Sequence, residues 1–203
     1  MVTKTREKLI EVARQLFAHK GIENTTMNDI ATASEKGRRT IYTYFKNKRE
    51  IYNAVIERES EHLVARLREV VDSNLEPVEK LRVYLETRFD IVDDAVHKQD
   101  SSLKTLFGRD FRRIDKIRRL AIVKEQELFS ALIHEGVATG CFRREQAERL
   151  LTLETVVFQG VDYSHLRNNF NELGFNRESL RSRVVGFLVD GVINNNTDNE
   201  QSE

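Results

Sequence analysis

The sequence predicts an all-α protein. Apolar residues recur with the 3.6-residue period of a helix along most of the 203 residues. Alternating runs of Val, Ile and Thr, which are typical of strands, are scarce. The single proline, Pro77, stands where it can open a helix instead of interrupting one.

The composition is ordinary for a folded protein, with 39% hydrophobic and 33% charged residues. No run of about 18 apolar residues occurs, and the N-terminal segment is amphipathic rather than signal-like, so we expect a cytoplasmic protein with no membrane partner. Because Cys141 is the only cysteine, a disulfide framework and a Cys-based zinc finger are excluded.

Three short helical patterns open the chain. We predict a helix at residues 4–20, followed by a second one capped by Thr26, with Asp29 completing a capping box. After a break, a third helix covers residues 38–45. Helix, turn and helix thus follow one another within about twenty residues, as in a helix-turn-helix.

The remaining helices are predicted at residues 47–73, 78–97, 110–135, 144–167 and 177–194, with a short segment at 103–107. Gly136 and Gly140 are interpreted as stops of the helix before them. The predicted domains are 1–50 and 51–194, followed by a polar tail, 195–203, that is expected to be disordered.

The net charge of zero hides an uneven distribution. Residues 1–52 carry a net charge of +5 and the remainder carries −5. Six basic residues and no acidic one lie within residues 36–49, as expected of a surface that faces phosphates, although a charge run is more often simply a solvated face.

The third helix begins with two arginines. A guanidinium group can donate two hydrogen bonds to O6 and N7 of guanine, the commonest specific contact in the major groove. Because helical neighbours point about 100° apart, we expect one of Arg38 and Arg39 to contact a base and the other a phosphate or a neighbouring base.

The N-terminal quarter of the chain carries a specific set of residues in a fixed order and spacing. They are Arg6, Ile10, Ala13, Leu16, Phe17, Gly21, Thr25, Thr26, Asp29, Ile30, Ala31, Thr40, Ile41, Tyr42, Tyr44, Phe45 and Lys48. With these residues the chain resembles the TetR family of bacterial transcriptional regulators. The resemblance implies an N-terminal three-helix bundle with a helix-turn-helix and a C-terminal helical dimerisation and effector domain. It implies a homodimer that binds a palindromic double-stranded DNA operator, usually as a repressor, and releases it when a small molecule binds.

The family pattern assigns roles to nine residues of the N-terminal domain. Contacts to the DNA backbone are expected from Thr26, Thr40, Tyr42, Tyr44 and Lys48, and contacts to base edges from Asn28, Arg38, Arg39 and Thr43. The two tyrosines could instead belong to the core, but Ile41 and Phe45 already supply that face, so we favour phosphate contact.

The turn departs from the family, which usually has Ala-Gly-Val-Ser. Glu35 stands where glycine can adopt a positive φ, and Lys36 replaces an apolar residue. Arg39 replaces a small glycine in the reading helix. We therefore expect a turn of different shape, with Lys36 extended toward phosphate.

We expect DNA binding to require a dimer, because the N-terminal domain of a single chain contacts only a few phosphates. The predicted dimerisation residues are Leu150, Leu151, Val157, Phe158, Val161, Val184, Phe187 and Leu188. The candidate effector residues are Tyr84, Phe89, Phe107 and Phe111, for which plain core packing is the stronger alternative.

No nucleophile motif or phosphate loop occurs, so we expect neither an enzyme nor a cofactor. The alternative is a helical metalloenzyme, because three histidines follow a carboxylate by three residues, as in di-iron bundles. These pairs are Glu59 with His62, Asp94 with His97, and Asp162 with His165.

Overall fold

The computed structural model describes residues 2–97, 111–167, 172 and 174–194. It confirms the all-α class. The helices within these ranges are α1 (Val2–Lys20), α2 (Met27–Ala33), α3 (Arg38–Tyr44), α4 (Lys48–Val71), α5 (Pro77–His97), α6 (Phe111–Ala138), α7 (Arg144–Arg167) and α8 (Arg177–Val192). Extended pairing in the described part is limited to one antiparallel bridge, between Phe142 and Ile193. The predicted segment 103–107 and the tail 195–203 lie outside the described residues.

The structure corrects one predicted boundary. The helix expected to stop at Gly136 continues to Ala138, and the left-handed residue that follows it is Gly140, with φ of +79°. Gly136 has a packing role, because a Cβ atom there would lie 2.1 Å from the ring of Phe142. The bare backbone of Gly136 thus leaves room for a buried aromatic side chain from the loop after α6.

The chain divides into two compact units. The first contains Met1–His62 and Asp93–Ala121, and the second contains Leu63–Val92 and Ile122–Glu203. We call them the N-terminal unit and the regulatory unit.

The N-terminal unit has one apolar core beneath α1, α2, α3 and the first half of α4. Its buried members are Leu9, Ile10, Ala13, Phe17, Ile30, Ala31, Ile41, Phe45, Ile51, Ala54 and Val55. The predicted pair of Ile41 and Phe45 on the third helix is buried as expected. This core fixes α3 against α1 and α4 and leaves its other face to solvent.

A charged group ties α1 to α4 at the edge of this core. The carboxylate of Glu11 accepts hydrogen bonds from Arg14, Gln15 and Arg58. The hydrogen bond from Arg14 is the largest influence and, with the bond from Arg58, holds the pKa of Glu11 at about 2. Since the ordinary pKa is 4.5, this group contributes stability above that pH and loses it as the pH falls toward 2.

The regulatory unit is packed around three aromatic side chains. The ring centroids of Tyr84 and Phe129 lie 5.5 Å apart, and those of Phe129 and Phe158 lie 5.3 Å apart. These residues come from α5, α6 and α7, so one aromatic row joins three helices. The ammonium of Lys80 on α5, itself nearly buried, lies 2.8 Å from the carboxylate of Glu135 on α6.

The end of α8 is fastened to the connection between α6 and α7. The backbone N–H of Arg143 donates to the carbonyl of Val192 at 2.8 Å, and that of Asn194 donates to Cys141 at 2.8 Å. These two bonds flank the single antiparallel bridge of the described residues. They hold α7 and α8 side by side at this end.

We predict that Gly136→Ala destabilises the protein although alanine is the better helix former. Alanine favours a helix over glycine by about 1 kcal/mol. The clash with Phe142 forces repacking that costs about 1–3 kcal/mol, so we expect a net loss of up to about 2 kcal/mol in the free energy of unfolding.

Urea denaturation provides the measurement, with Gly186→Ala as the control. Gly186 also lies in a helix, and a Cβ atom added there meets nothing within 4 Å. We expect the control to be neutral or slightly stabilising. Equal stability of the two variants would show that the ring of Phe142 does not need this glycine.

Candidate nucleic-acid interface

The first helix of the helix-turn-helix begins with the predicted capping box. The hydroxyl of Thr26 accepts the N–H of Asp29 at 3.1 Å, and the carboxylate of Asp29 accepts the N–H of Thr26 at 2.8 Å. These hydrogen bonds lower the pKa of Asp29. Just before the cap, the buried hydroxyl of Thr25 donates to the carbonyl of Gly21 at 2.8 Å, which fixes the loop that leads into α2.

The turn between α2 and α3 is a Schellman motif closed by a non-glycine residue. Glu35 has φ of +57°, in the left-handed region that glycine adopts more readily than other residues. The N–H of Lys36 donates to the carbonyl of Ala31 at 2.9 Å, and the N–H of Glu35 donates to that of Thr32 at 3.0 Å. The carboxylate of Glu35 lies 3.1 Å from the ammonium of Lys8 on α1, which braces the turn from outside.

The start of α3 presents the two arginines to solvent. Arg38 and Arg39 are both exposed, and within the described residues neither guanidinium has a hydrogen bond or an ion pair. Tyr42, one turn further along, keeps 45% of its surface exposed. Thr43 is also exposed, and its hydroxyl donates to the carbonyl of Arg39 at 3.0 Å. These four residues form an open polar face opposite the buried side chain of Ile41.

The other predicted contact residues divide between solvent and core. Asn28 is exposed, while Lys36 and Thr40 are half-buried. Tyr44 is half-buried and packs against the core of the N-terminal unit, which is the alternative left open for it. Thr26 is exposed but is engaged in the capping box.

Lys48 has a structural contact that the sequence did not indicate. Its ammonium donates to the carbonyl of Ile22 at 2.6 Å and to that of Glu23 at 3.3 Å. These carbonyls belong to the loop after α1, so Lys48 at the start of α4 ties this loop down. Helical periodicity cannot show such a contact, because the partners are backbone atoms about 25 residues away.

The residues predicted for dimerisation are partly used within the chain. Leu150, Phe158 and Leu188 are buried, Leu151, Val157, Val161 and Val184 are half-buried, and Phe187 is 78% exposed. The most exposed apolar side chains of α7 are instead Leu153, Val156 and Tyr163. With Gly160 they follow the spacing i, i+3, i+7, i+10, a signal present in the sequence but weaker than the buried stripe beside it.

The candidate effector residues are core residues where they are described. Tyr84 and Phe89 are buried, and the hydroxyl of Tyr84 donates to the backbone carbonyl of Glu125 at 3.2 Å. Burial raises the pKa of Tyr84, so its hydroxyl remains protonated. Phe107 lies outside the described residues, and so does the side chain of Phe111.

The carboxylates considered for a metal have other partners. Asp162 binds the guanidinium of Arg88, and Glu59 lies 3.6 Å from Arg58. The side chains of Asp94, His97 and His165 lie outside the described residues. Among the side chains that are described, no group of three His, Cys, Asp or Glu residues could hold a metal ion.

The described helices also show whether any of them could span a membrane. None of those within residues 2–97, 111–167 and 174–194 combines the length and apolar character needed to cross a bilayer.

Comparison with known proteins places these features in a family. Residues 9–55 match the family model described as bacterial regulatory proteins, tetR family. This range covers most of α1, all of α2 and α3, and the start of α4.

Similarity to known regulators extends beyond this range, and solved structures share the fold. The chain is 25% identical over 146 residues to the HTH-type transcriptional repressor KstR2 of Mycobacterium tuberculosis, covering 70% of this chain and 71% of that protein. It is 28% identical over 179 residues to the probable acrEF/envCD operon repressor of Escherichia coli, covering 81% and 77%. The fold is similar to that of the transcriptional regulator FadR from Bacillus subtilis in complex with stearoyl-CoA, with a TM-score of 0.64, 18% identity and coverage of 91% and 98%.

We predict that glycine at position 35 is more stable than alanine. Both substitutions remove the ion pair with Lys8, so the comparison isolates the backbone. An L-residue in the left-handed region is less stable there by about 1–2 kcal/mol, whereas glycine adopts it freely. Urea unfolding should therefore give Glu35→Gly about 1 kcal/mol more stability than Glu35→Ala. A more stable alanine variant would contradict the positive φ.

Proposed function

The chain belongs to the TetR family of bacterial regulatory proteins, and we propose that it is a cytoplasmic repressor that binds a palindromic operator as a homodimer. The observation that carries the proposal is the open polar face of α3. Its two arginines are exposed and uncommitted within the described residues, on a helix whose opposite face is anchored in the core of the N-terminal unit. Such a helix suits insertion into the major groove.

We assign sequence readout to the start of α3. Arg38, Arg39 and Thr43 contact base edges, and Asn28 at the start of α2 contacts a base from the neighbouring helix. Two features support the assignment: these side chains are exposed, and guanidinium groups match the acceptors of guanine.

Contacts to the DNA backbone are assigned to residues around this helix. They are Thr26, Lys36, Thr40, Tyr42, Tyr44 and Lys48. The exposed hydroxyphenyl group of Tyr42 supports its assignment most directly. For Tyr44 and Lys48 the role is shared, because Tyr44 also packs on the core and Lys48 also binds the loop after α1. In these two residues the contact to phosphate would come from an already ordered side chain.

The second copy of the chain covers the apolar surface of α7 and α8. Val156 is 70% exposed and Phe187 is 78% exposed, which is costly for apolar groups left in water. Leu153, Gly160 and Tyr163 extend the same stripe along α7. Leu150, Phe158 and Leu188 are buried within the chain. The helices α7 and α8 of the two copies pair to make a four-helix bundle. The dimer then has two N-terminal units for the two half-sites of the operator.

An effector acts through the regulatory unit without any catalytic step. A structurally similar regulator, FadR of Bacillus subtilis, was solved in complex with stearoyl-CoA, which supports control by a small molecule. We place the effector among α5, α6 and α7, next to the row formed by Tyr84, Phe129 and Phe158. These three helices supply the apolar and aromatic surface that small-molecule sites use.

We predict that Arg38→Ala relaxes base preference. Duplexes that bind the wild-type protein would be selected from a random pool, and their affinity compared with that of random duplexes at a fixed salt concentration. The loss on the selected duplex should be about 1–3 kcal/mol, with little loss on random DNA.

Lys36→Ala serves as the matched control for this measurement. Loss of a phosphate contact should weaken all sequences alike and lower the salt slope by about one. If Arg38→Ala also weakened every sequence equally, Arg38 would be a backbone contact. Failure of the wild-type protein to select any duplex would refute the function itself.

We predict that Phe187→Glu separates the dimer without unfolding the protomer. A carboxylate would replace an apolar anchor in the interface but would face water in the free chain. Loss of such an anchor costs about 2–3 kcal/mol, so the dimer dissociation constant should rise roughly 30- to 150-fold in sedimentation equilibrium.

Ser182→Glu is the control, because it adds the same charge at an exposed position on another side of α8. It should remain dimeric, and circular dichroism should show both variants folded. If Phe187→Glu dimerised as tightly as the control, the interface would lie elsewhere.

A further inference from the structure

A buried ion pair joins α5 to α7 in the regulatory unit. Arg88 of α5 is 4% exposed, and its two terminal nitrogens donate to the two carboxylate oxygens of Asp162 of α7 at 2.9 and 2.8 Å. The guanidinium also stacks on the ring of Phe158, with 4.2 Å between Cζ and the ring centroid. Its Nε lies 3.7 Å from the carboxylate of Glu125 on α6. One cation of α5 thus contacts two residues of α7 that lie one turn apart.

Stability alone is a weak reason for such a pair. Taking two charges out of water is costly, and packed apolar side chains of similar volume often stabilise a core equally well or better. An arginine–carboxylate pair supplies direction instead, because its two parallel hydrogen bonds form only when the guanidinium and the carboxylate lie in one mutual orientation. The contact between Arg88 and Asp162 therefore specifies how α7 is turned against α5.

The inner and outer faces of α7 have different contacts. Phe158 and Asp162 are four residues apart, so they lie on the same face of the helix. Val156 and Gly160 each precede one of them by two residues, and they point in nearly the opposite direction because successive residues turn by about 100°. Accordingly, Val156 is 70% exposed, whereas Phe158 is 5% exposed. The contacts of the inner face therefore fix the direction in which the outer face points.

The other helix of the proposed dimer surface is also joined to α5. The guanidinium of Arg181 on α8 lies 2.9 Å from the carboxylate of Asp90 and 3.9 Å from that of Glu86. More than a third of each of these side chains is exposed, so this contact is the weaker one. The helix α5 thus holds both α7 and α8 by ion pairs, and the buried pair is the one with a defined geometry.

We propose that Arg88 and Asp162 are positioning residues for homodimerisation. Their pairing sets the rotation of α7 at which the exposed side chains of Leu153, Val156 and Tyr163 meet the second copy. Both residues act through α7 and do not contact the second copy. Without the pair α7 still packs on the aromatic row, but it is free to turn against α5, so the two apolar faces no longer match. This inference rests on the proposed homodimer.

A double substitution, Arg88→Met with Asp162→Leu, separates positioning from folding. Apolar side chains replace both charges, so the variant should retain the circular dichroism of the wild type. In sedimentation equilibrium of the full chain, its dimer dissociation constant should nevertheless rise about fivefold or more, within the usual range of coupling between separate sites. A wild-type dissociation constant in the folded double variant would overturn the proposal.

Lys80→Met with Glu135→Leu is the matched control. This second pair also joins two helices through a nearly buried cation, with 2.8 Å between the charged atoms, but it links α5 to α6 and leaves α7 untouched. It should leave the dimer dissociation constant unchanged. An equal rise in the two double variants would reveal a general loosening of the regulatory unit, and the positioning role of Arg88 and Asp162 would be refuted.

Arg88→Lys gives an answer even if the apolar double variant does not fold. Lysine keeps the positive charge but has neither the planar fork nor the stacking face of arginine. The dimer dissociation constant of this variant should also rise about fivefold or more. Dimerisation as tight as that of the wild type would show that a charge without defined direction suffices, which contradicts the proposal.

Failure of the proposed function would look different. A wild-type chain that stayed monomeric at every concentration would refute the homodimer itself. A wild-type dimer whose affinity is unchanged by Arg88→Lys and by the double substitution would refute only the positioning role of Arg88 and Asp162.

Discussion

The helix-turn-helix formed by α2 and α3 depends on the left-handed backbone conformation of Glu35. This conformation reverses the chain after α2 so that the backbone bonds of Glu35 and Lys36 return to the last turn of that helix. This turn sets the direction of α3 through backbone hydrogen bonds, independently of the side chains of α3. The core beneath Ile41 then holds the helix at that angle, and the ion pair with Lys8 supports the turn from the surface. Glycine would adopt the same conformation without strain. This chain combines the strained residue with an added brace.

Burial of charge distinguishes the regulatory unit from the N-terminal one. In the N-terminal unit, Glu11 is partly exposed and has several donors, so it remains ionised over the physiological range. In the regulatory unit, Arg88 is almost fully buried and lies within ion-pair distance of Asp162 and Glu125. The bidentate pair with Asp162 joins α5 to α7 with defined geometry, which apolar packing alone specifies less strictly. These directional bonds therefore fix α5 and α7 relative to each other.

The sequence predicted local features well because their causes are local. The Thr26 capping box and the exposed arginines at the start of α3 each follow from residues within one or two turns. Contacts between distant segments were not predictable in this way. Gly136 lies within α6, where its missing side chain leaves room for the ring of Phe142 from the following loop. The ammonium of Lys48 is bound by backbone carbonyls of another loop, which no side-chain pattern indicates. On α7 the apolar residues were recognised, but periodicity alone could not separate the stripe used within the chain from the stripe left exposed.

The freedom of Arg38 and Arg39 has a kinetic consequence. Within the described part of the chain neither guanidinium is held by an acid, so no internal ion pair has to break before these side chains meet DNA. Their positive potential is therefore available at a distance and can accelerate encounter with the duplex. The same freedom means that ordering the two long side chains lowers the net gain on binding by about 0.5–1.5 kcal/mol each. For the readout proposed for Arg38 and Arg39, this balance implies rapid scanning of many sequences, with long residence only where both arginines find acceptors.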